Sequence, residues 1–171
     1  MEIPVLISDN LIRKKVKLLS EQISKDYINK QPLLIGILNG AFVFTADLIR
    51  YLTIPVRCDF MRVSSYNQST QSSGKIKIIM NIDFPVKNKD IIIVDDIIDT
   101  GLTTRYIINR LKRQKPRSIK ICALLNKPSR RIIPIKIDYC GFTIPNKFVV
   151  GYGIDYKEQY RQLHYIGYLP S

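Results

Sequence analysis

The feature that most constrains the fold of this chain is a set of short apolar runs that alternate with stretches of helical periodicity. Residues 33–38 and 91–94 are apolar throughout, which is typical of strands that are buried on both faces. Residues 41–52, which lie between them, have the spacing of a helix. Because strands that alternate with helices favour parallel pairing, we expect an α/β fold in which helices cover both faces of a mostly parallel, twisted sheet.

The other elements are predicted from the same patterns. A first helix begins at Ser8, Asp9 or Asn10, any of which can serve as its N-cap. Its apolar residues recur at helical spacing: Ile12, Val16, Leu19 and Ile23. A later helix ends near residue 114. Further strands are expected at residues 55–63, 75–81, 118–125, 135–139, 148–150 and 164–169.

Length and composition limit the class of protein. The chain has 171 residues, which favours one domain, and 46% of them are hydrophobic, which excludes a disordered or collagen-like chain. No apolar run approaches the roughly 18 residues that a membrane span needs, and the N-terminus lacks the features of a signal peptide. The odd number of cysteines favours free thiols in a reducing compartment: Cys58, Cys122 and Cys140. We therefore expect a cytoplasmic protein with no membrane partner.

An excess of basic residues allows partners that carry phosphate. Lys and Arg number 27 and Asp and Glu number 14, which gives a net charge of +13. Eleven of the basic residues lie between Asp99 and Asp138, with no acid among them: Arg105, Arg110, Lys112, Arg113, Lys115, Arg117, Lys120, Lys127, Arg130, Arg131 and Lys136. Nucleic-acid surfaces usually interleave aromatic residues, and this stretch has only Tyr106. A solvated face is therefore favoured over a surface for nucleic acid.

The strongest candidate for a binding site follows the apolar strand at 91–94. Two carboxylates, Asp95 and Asp96, come first, and a helix then starts at residues 99–103, Asp-Thr-Gly-Leu-Thr. In open α/β sheets ligands bind beyond the carboxyl ends of the strands, and the N–H groups at a helix N-terminus bind anions. Carboxylates beside a phosphate suit ribose hydroxyls and Mg²⁺. The segment therefore predicts a site for a sugar phosphate.

A polar segment at residues 64–75 has almost nothing to bury. Such long loops in a compact domain are commonly lids or binding loops. We therefore expect this segment to supply a cover for the site.

Four stretches of the chain resemble one known family. Residues 91–104 resemble the 5-phosphoribosyl-1-diphosphate (PRPP) signature of type I phosphoribosyltransferases. Residues 147–155, Lys-Phe-Val-Val-Gly-Tyr-Gly-Ile-Asp, with Tyr156 and Arg161 after them, resemble the base-binding segment of hypoxanthine-guanine phosphoribosyltransferases. Two further stretches are similar to that family: residues 124–128, Leu-Leu-Asn-Lys-Pro, and Ser65 with Tyr66 in the lid.

The resemblance implies a fold, a reaction and an assembly. The fold is the type I phosphoribosyltransferase fold, as a single domain over residues 1–171 with a small hood built from the N- and C-terminal segments. The reaction is a step of purine salvage, in which Mg²⁺-dependent transfer of the 5-phosphoribosyl group from PRPP to hypoxanthine or guanine gives IMP or GMP and pyrophosphate. The assembly is a homodimer or homotetramer.

The resemblance also implies which residues bind PRPP. The 5′-phosphate lies on Thr100, Gly101, Leu102, Thr103 and Thr104. The ribose hydroxyls are held by Asp95 and Asp96, and Mg²⁺ by Asp95, Asp96 and Asp155. Pyrophosphate contacts Asn39, Gly40 and Arg161. The family often has Glu at the position of Asp95 and Lys at the position of Asn39, and the second difference removes a charged contact to pyrophosphate.

The same resemblance implies how the purine is recognised. The base-binding residues are Lys127, Phe148, Val149 and Asp155. In this set Lys127 contacts the 6-oxo group, Phe148 stacks on the ring and the backbone of Val149 reads the base edge. Asp99 faces the purine N7 and is the catalytic acid/base.

The alternative hypothesis is a regulator of the same fold that binds RNA, suggested by the net charge of +13. Pyrimidine regulators with this fold usually carry a different residue where Asp99 stands, and they lack the segment at residues 148–156 that this chain contains. The sequence therefore favours the enzyme, and we expect RNA binding to be weak or absent at physiological salt.

Overall fold

Six strands form the central sheet of the computed structural model, which describes residues 3–65 and 76–170. In chain order they are β2 (Leu33–Leu38), β3 (Arg57–Ser65), β4 (Ile76–Met80), β5 (Asp90–Ile98), β6 (Ser118–Asn126) and β7 (Tyr139–Thr143); the first strand, β1 (Val5–Ile7), belongs to a second sheet. Their order in the sheet is β4-β3-β2-β5-β6-β7. All neighbours are parallel except β4, which pairs antiparallel with β3 at one edge. The mostly parallel sheet is therefore confirmed.

Helices pack on both faces of this sheet. They are α1 (Asp9–Asp26), α2 (Phe42–Tyr51) and α3 (Leu102–Lys112), and a short 3₁₀ turn covers Pro128–Arg130. The predicted apolar face of α1 is buried in one core cluster together with Leu34 and Ile92. The next residue of each of these strands faces the opposite cluster, where Ile35 and Ile93 pack with α3. Because successive strand residues point to opposite faces, burial of both faces explains the uninterrupted apolar runs.

The second, smaller sheet joins the two ends of the described chain. Its strands are β1 (Val5–Ile7), β8 (Phe148–Val150) and β9 (Ile166–Leu169), in the order β1-β9-β8 with antiparallel pairing. The strand predicted at 148–150 is found with the same bounds, whereas the one predicted from residue 164 begins two residues later. The N- and C-terminal segments thus form one layer beside the central sheet.

Three expectations about the elements are corrected by the structure. The strand predicted at 135–139 is wrong, because β7 starts at Tyr139, where its pairing with Cys122 begins. The apolar strand at 91–94 continues as β5 to Ile98, so Asp95 and Asp96 lie within it. Of the predicted lid, residues 64 and 65 end strand β3, and Tyr66 lies outside the described residues.

Two expectations from composition can also be compared with the fold. None of the helices in the described part of the chain is long and apolar enough to cross a membrane. All three cysteines are free, and Cys122 is fully buried. Burial raises the pKa of the thiols of Cys122 and Cys58, so both are held in the protonated form.

Candidate active site

A cavity of about 210 Å³ lies at the carboxyl ends of β2 and β5. It is lined by eight of the residues singled out in the sequence: Gly40, Asp95, Asp96, Asp99, Thr100, Gly101, Thr103 and Thr104. Leu102, which belongs to the same turn, has an exposed side chain. The chain therefore brings the carboxylates of β5 and the start of α3 around one small polar space.

The turn from Asp99 to Thr104 is shaped by its glycine. Gly101 has φ 84°, in the left-handed region that disfavours side chains, and a Cβ there would lie 2.5 Å from the carbonyl oxygen of Ile133. Its carbonyl accepts the first hydrogen bond of α3, from the N–H of Arg105 at 2.9 Å. The preceding N–H groups of the helix have no partner within it, and the helix dipole is positive at this end. The turn is therefore suited to an anion.

Asp95, which is buried, and Asp96, which is half-buried, form an acidic pair in this cavity. Burial raises the pKa of the Asp95 carboxyl well above its usual value, and the neighbouring Asp96 charge adds to the effect. Burial also raises the pKa of Asp96, although hydrogen bonds with the Asp95 side chain and with the backbone at Ile97 oppose the shift. The hydroxyl of Thr104 donates to Asp95 Oδ2 at 3.4 Å. Two adjacent carboxylates whose pKa values are both raised can accept hydroxyl donors or a cation.

Asp99 presents an unsatisfied oxygen to the site. Its Oδ2 lies 3.3 Å from Arg130 Nη1. Its Oδ1 is buried and has no hydrogen-bond partner among the described residues. Because a buried acceptor without a partner is costly, such an oxygen is expected to be completed by a ligand. Asp99 is therefore placed to accept a proton from a bound molecule.

The loop at Asn39 and Gly40 closes another side of the cavity. The backbone of Gly40 packs against the Asp96 carboxylate so closely that a Cβ would overlap it. Gly153 packs in turn on the Gly40 carbonyl, and Arg161 Nη1 donates to the Gly153 carbonyl at 2.8 Å. Arg161 is thus held beside the loop, and both glycines are required for this close approach.

A second surface, built from β6 and β8, adjoins the turn. The backbone N–H of Lys127 donates to the Ile98 carbonyl at 3.0 Å, and its Nζ donates to the Lys147 carbonyl at 2.9 Å. Phe148, which follows Lys147, is 51% exposed. Val149 is buried in the pairing of β8 with Tyr168. Lys127 therefore connects strand β8, which carries the predicted base-binding residues Phe148 and Val149, to the turn from Asp99 to Thr104, called the phosphate turn below after its predicted ligand.

The sequence reading missed the contact that fixes Phe148. Tyr156 meets its ring edge to face, with centroids 5.4 Å apart and planes at 80°. Tyr156 sits on a tight turn in which it exchanges backbone hydrogen bonds with Gln159. In the sequence Tyr156 appears only as part of a motif, and no local pattern indicates that the turn folds back onto β8.

The three predicted metal ligands do not form one cluster. Within the described ranges, no three Asp, Glu, His or Cys side chains come together as a metal cage. The reason is that Asp155 pairs with Arg161 Nη2 at 3.0 Å, whereas Asp95 and Asp96 line the cavity. Mg²⁺ is usually bound by one or two carboxylates together with substrate phosphates and waters. The acidic pair fits that requirement.

Arg131 was interpreted from the sequence as one charge of the basic run, and the structure gives it a different place. Its guanidinium donates to the carbonyls of Asp99 and Ile98, immediately behind the phosphate turn. No pattern in the sequence could have indicated these bonds, because they join residues more than 30 positions apart.

Comparisons with known proteins agree on one family. Residues 7–157 match the family described as phosphoribosyl transferase domain. The hypoxanthine-guanine phosphoribosyltransferase of Bacillus subtilis (strain 168) is 51% identical over 165 residues, which are 96% of this chain and 92% of that protein. The enzyme of the same name from Lactococcus lactis subsp. lactis is 50% identical over 96% of this chain and 90% of that protein.

Solved structures lead to the same result. A crystal structure of a hypoxanthine-guanine phosphoribosyltransferase from Bacillus anthracis, with a HEPES molecule in its active site, superposes with a TM-score of 0.94 at 42% identity. The match covers 99% of this chain and 100% of that one. A Trypanosoma cruzi hypoxanthine phosphoribosyl transferase gives a TM-score of 0.93 at 36% identity, over 99% of this chain and 93% of that one.

Proposed function

Since the chain belongs to the phosphoribosyltransferase family, we propose that it transfers the 5-phosphoribosyl group of PRPP to hypoxanthine or guanine. The products are IMP or GMP and pyrophosphate, so the protein is a purine-salvage enzyme. The observation that supports this proposal is the buried Oδ1 of Asp99, which has no partner among the described residues and lies in a turn that Lys127 connects to the Lys147 carbonyl, next to Phe148.

In this proposal the turn binds the 5′-phosphate. The backbone from Thr100 to Thr104 offers N–H groups and three threonine hydroxyls at the positive end of α3. Asp95 and Asp96 accept hydrogen bonds from the ribose hydroxyls, which favours their charged forms against the burial that raises their pKa. The ribose is then fixed between the end of β5 and the start of α3.

The purine binds on the β6–β8 surface. Phe148, which is half exposed, stacks on the base, and its T-shaped contact with Tyr156 keeps the ring in place. Lys127 Nζ has donors left beyond its bond to the Lys147 carbonyl and gives one to the 6-oxo group. The Val149 backbone reads the base edge, and Asp155 completes this side of the pocket while it holds Arg161.

Asp99 then takes the proton from the purine nitrogen as the bond to the ribose carbon forms. Its Oδ1 has no competing donor in the described part of the chain, and the pairing of Oδ2 with Arg130 keeps the carboxyl group in one orientation. A general base of this kind typically contributes about 10²–10⁴ in rate.

Pyrophosphate leaves toward the loop at Asn39 and Gly40 and toward Arg161. The Arg161 guanidinium is fixed by Asp155 and by the Gly153 carbonyl, so it can meet developing negative charge without reorganising. Mg²⁺ is the implied cofactor, and Asp95 and Asp96 would hold it, with Asp155 as a third candidate. When bound it would neutralise charge on the substrate phosphates.

Further parts of the proposal concern the whole molecule. We propose that residues 1–171 form one domain in which the small sheet is the hood. Ser65, at the end of β3, and Tyr66 belong to the lid. We also propose a cytoplasmic location, supported by the three free cysteines, and a homodimer or homotetramer, as the family resemblance implies.

The test is a panel of free bases assayed with PRPP and Mg²⁺. We expect turnover with hypoxanthine and guanine and formation of one pyrophosphate per nucleotide. Adenine serves as the control, because it lacks the 6-oxo group that Lys127 is proposed to contact. Turnover with adenine alone, or with no purine, would contradict the proposal.

The RNA-binding alternative loses support from the contacts of the basic run. Seven of its eleven basic side chains have partners within the chain: Arg105, Arg117, Lys120, Lys127, Arg130, Arg131 and Lys136. A salt titration of RNA binding tests it directly, since a steep salt dependence with tight binding would favour the regulator.

A further inference from the structure

Three consecutive backbone carbonyls at the end of β5 and the start of the phosphate turn bond to one segment of the chain. The Ile98 carbonyl accepts the N–H of Lys127 at 3.0 Å. The Thr100 carbonyl accepts the N–H groups of Ile132 and Ile133 at 2.9 and 3.0 Å. The carbonyl between them, at Asp99, accepts a side chain instead. The segment 127–133 therefore lies along the whole back of the turn.

That side chain is Arg131. Its Nε donates to the Asp99 carbonyl at 2.8 Å, and its Nη2 donates to the Ile98 carbonyl at 2.9 Å. The same Nη2 donates to Asn126 Oδ1 at 2.6 Å. A guanidinium is planar and offers five donors in a fixed arrangement, so one side chain can hold these three acceptors at set positions.

Neighbouring contacts show how little freedom this arrangement leaves. At Gly101 an added Cβ would come within 3.2 Å of Arg131 Cδ as well as within 2.5 Å of the Ile133 carbonyl. Arg131 itself is fixed at its backbone, where its N–H donates to the Pro128 carbonyl at 3.0 Å. Lys127 and Arg131 thus belong to one short unit, with Lys127 reaching β8 and Arg131 reaching the turn.

We propose that Arg131 is a positioning residue, which fixes the phosphate turn relative to Lys127 and the base-binding surface. This inference rests on the proposed function, because it concerns the distance between the sugar phosphate and the purine. Arg131 acts through the backbone of Ile98 and Asp99 and contacts no substrate. A misplacement of about 1 Å between reacting groups can cost about 10²-fold in rate.

A lysine at position 131 distinguishes the planar shape of the guanidinium from its positive charge. If Arg131 served as a positive charge for phosphate, lysine in its place would retain most of the activity. If it serves as a planar fork, lysine will fail nearly as badly as an uncharged residue, because an ammonium is a point charge that cannot hold the three acceptors in the same arrangement.

The kinetic test compares Arg131→Met and Arg131→Lys, with Arg117→Met as the matched control. Arg117 is an exposed arginine that pairs with Asp90 at the opposite end of the sheet. We expect kcat/KM for PRPP to fall about 10–100-fold in both Arg131 variants, with kcat carrying much of the loss, and to stay near the wild-type value in Arg117→Met. Near-wild-type kinetics in Arg131→Lys would overturn the proposal.

Amide hydrogen exchange without substrates gives a readout that does not depend on activity. In Arg131→Met we expect amides of residues 99–104 to exchange about tenfold faster or more, while those of α1 keep their wild-type rates. Unchanged exchange in the turn would overturn the proposal. If Arg131→Met does not fold, Asn126→Ala, which removes one acceptor, should show the same change to a smaller degree. Failure of the wild-type enzyme to use any purine would instead overturn the proposed function.

Discussion

Strand β5 carries acidic residues near both of its ends, and the carboxylates at the two ends differ in their hydrogen-bond partners. Asp90, at the amino end, accepts from Arg117 at 3.0 Å and from the hydroxyl of Ser118 at 2.7 Å. Asp95, five residues later and just as buried, has no ion-pair partner among the described residues; Thr104 makes a long contact to it, and burial and the charge of Asp96 raise its pKa. One strand therefore contains a carboxylate that is paired with an arginine and another that lies beside a second carboxylate.

The neighbouring acids follow the same division. At the amino ends of the strands, Asp26 accepts from Tyr139 Oη at 2.6 Å and Lys120 Nζ at 3.1 Å, and Asp138 accepts from the N–H of Ile121. At the carboxyl ends, Asp99 keeps a buried oxygen without a partner among the described residues. The amino ends are built for stability, whereas the carboxyl ends hold acceptors that a ligand completes.

The largest expected effect is at Asp99. Asp99→Asn keeps the shape of the side chain but removes the group that accepts the proton, so turnover of hypoxanthine should fall by about 10²–10⁴-fold. The melting temperature should stay close to that of the wild type. Steady-state kinetics and thermal melts check this, and undiminished turnover would exclude Asp99 as the base.

Lys127 comes next, since it is proposed to read the base. Lys127→Met keeps the buried stem and loses the ammonium, so kcat/KM for hypoxanthine should fall about 10–100-fold, which corresponds to the loss of one charged hydrogen bond. The KM for PRPP should change much less. Equal losses for both substrates would reject a role specific to the base.

At the opposite end of β5, Asp90→Asn should affect stability alone. The variant loses the negative charge that Arg117 and Ser118 face, so the free energy of unfolding should drop by about 1–3 kcal/mol. Urea unfolding measures the change, and kinetics serve as the control. A variant with intact stability would show that the amino-end pairing contributes little.

Asp95→Asn is the matched variant on the same strand, and its effect on stability should have the opposite sign. Burial raises the pKa of Asp95 in the folded state, so the stability it contributes is present at acid pH and is lost as the pH rises above its unfolded value of 3.8. The asparagine side chain does not ionise, so the variant does not lose this stability as the pH rises. Without ligands at neutral pH, the melting temperature should rise, by about 2–4 °C for each kcal/mol relieved.

A pH series from 5 to 8 gives the control for this variant. The difference in melting temperature between Asp95→Asn and the wild type should grow as the pH rises above 3.8, until the carboxyl of the folded wild type has ionised. A melting temperature below the wild type at every pH would mean that Asp95 is paired after all. Catalytic activity should fall even though the protein is more stable.

The smallest effect is expected for Tyr139→Phe, which removes the main hydrogen bond that lowers the pKa of Asp26. Because a lowered pKa contributes stability above the unfolded value of 3.8, the variant should lose about 0.5 kcal/mol at neutral pH. The loss should disappear as the pH falls below that value. Urea unfolding at several pH values, with Lys120→Met for comparison, would reveal it; a loss that does not change with pH would exclude Asp26 as its origin.

Much of this architecture was predictable, and the failures have identifiable causes. The strands β2 and β8 were predicted to the residue, because apolar runs bounded by polar or turn residues are local signals. The strand at 135–139 was misplaced, since the pairing partner of β7 decides where it starts. The turn at residues 99–104 was predicted from its threonines and glycine, which follow directly on an apolar strand. No such local pattern indicates the contacts that Tyr156 and Arg131 make.

The sequence by itself determined the parallel α/β sheet, the turn at residues 99–104 after a buried strand, and the family to which the chain is similar. These follow from the order and periodicity of residues along short stretches. Only the tertiary structure decided which acids are paired and which are left open, and that Arg131 lies behind the turn. These contacts join residues that lie far apart in the chain: Arg117 and Asp90 are 27 positions apart, and Arg131 and Ile98 are 33. They therefore form only once packing has fixed the distance between the strands.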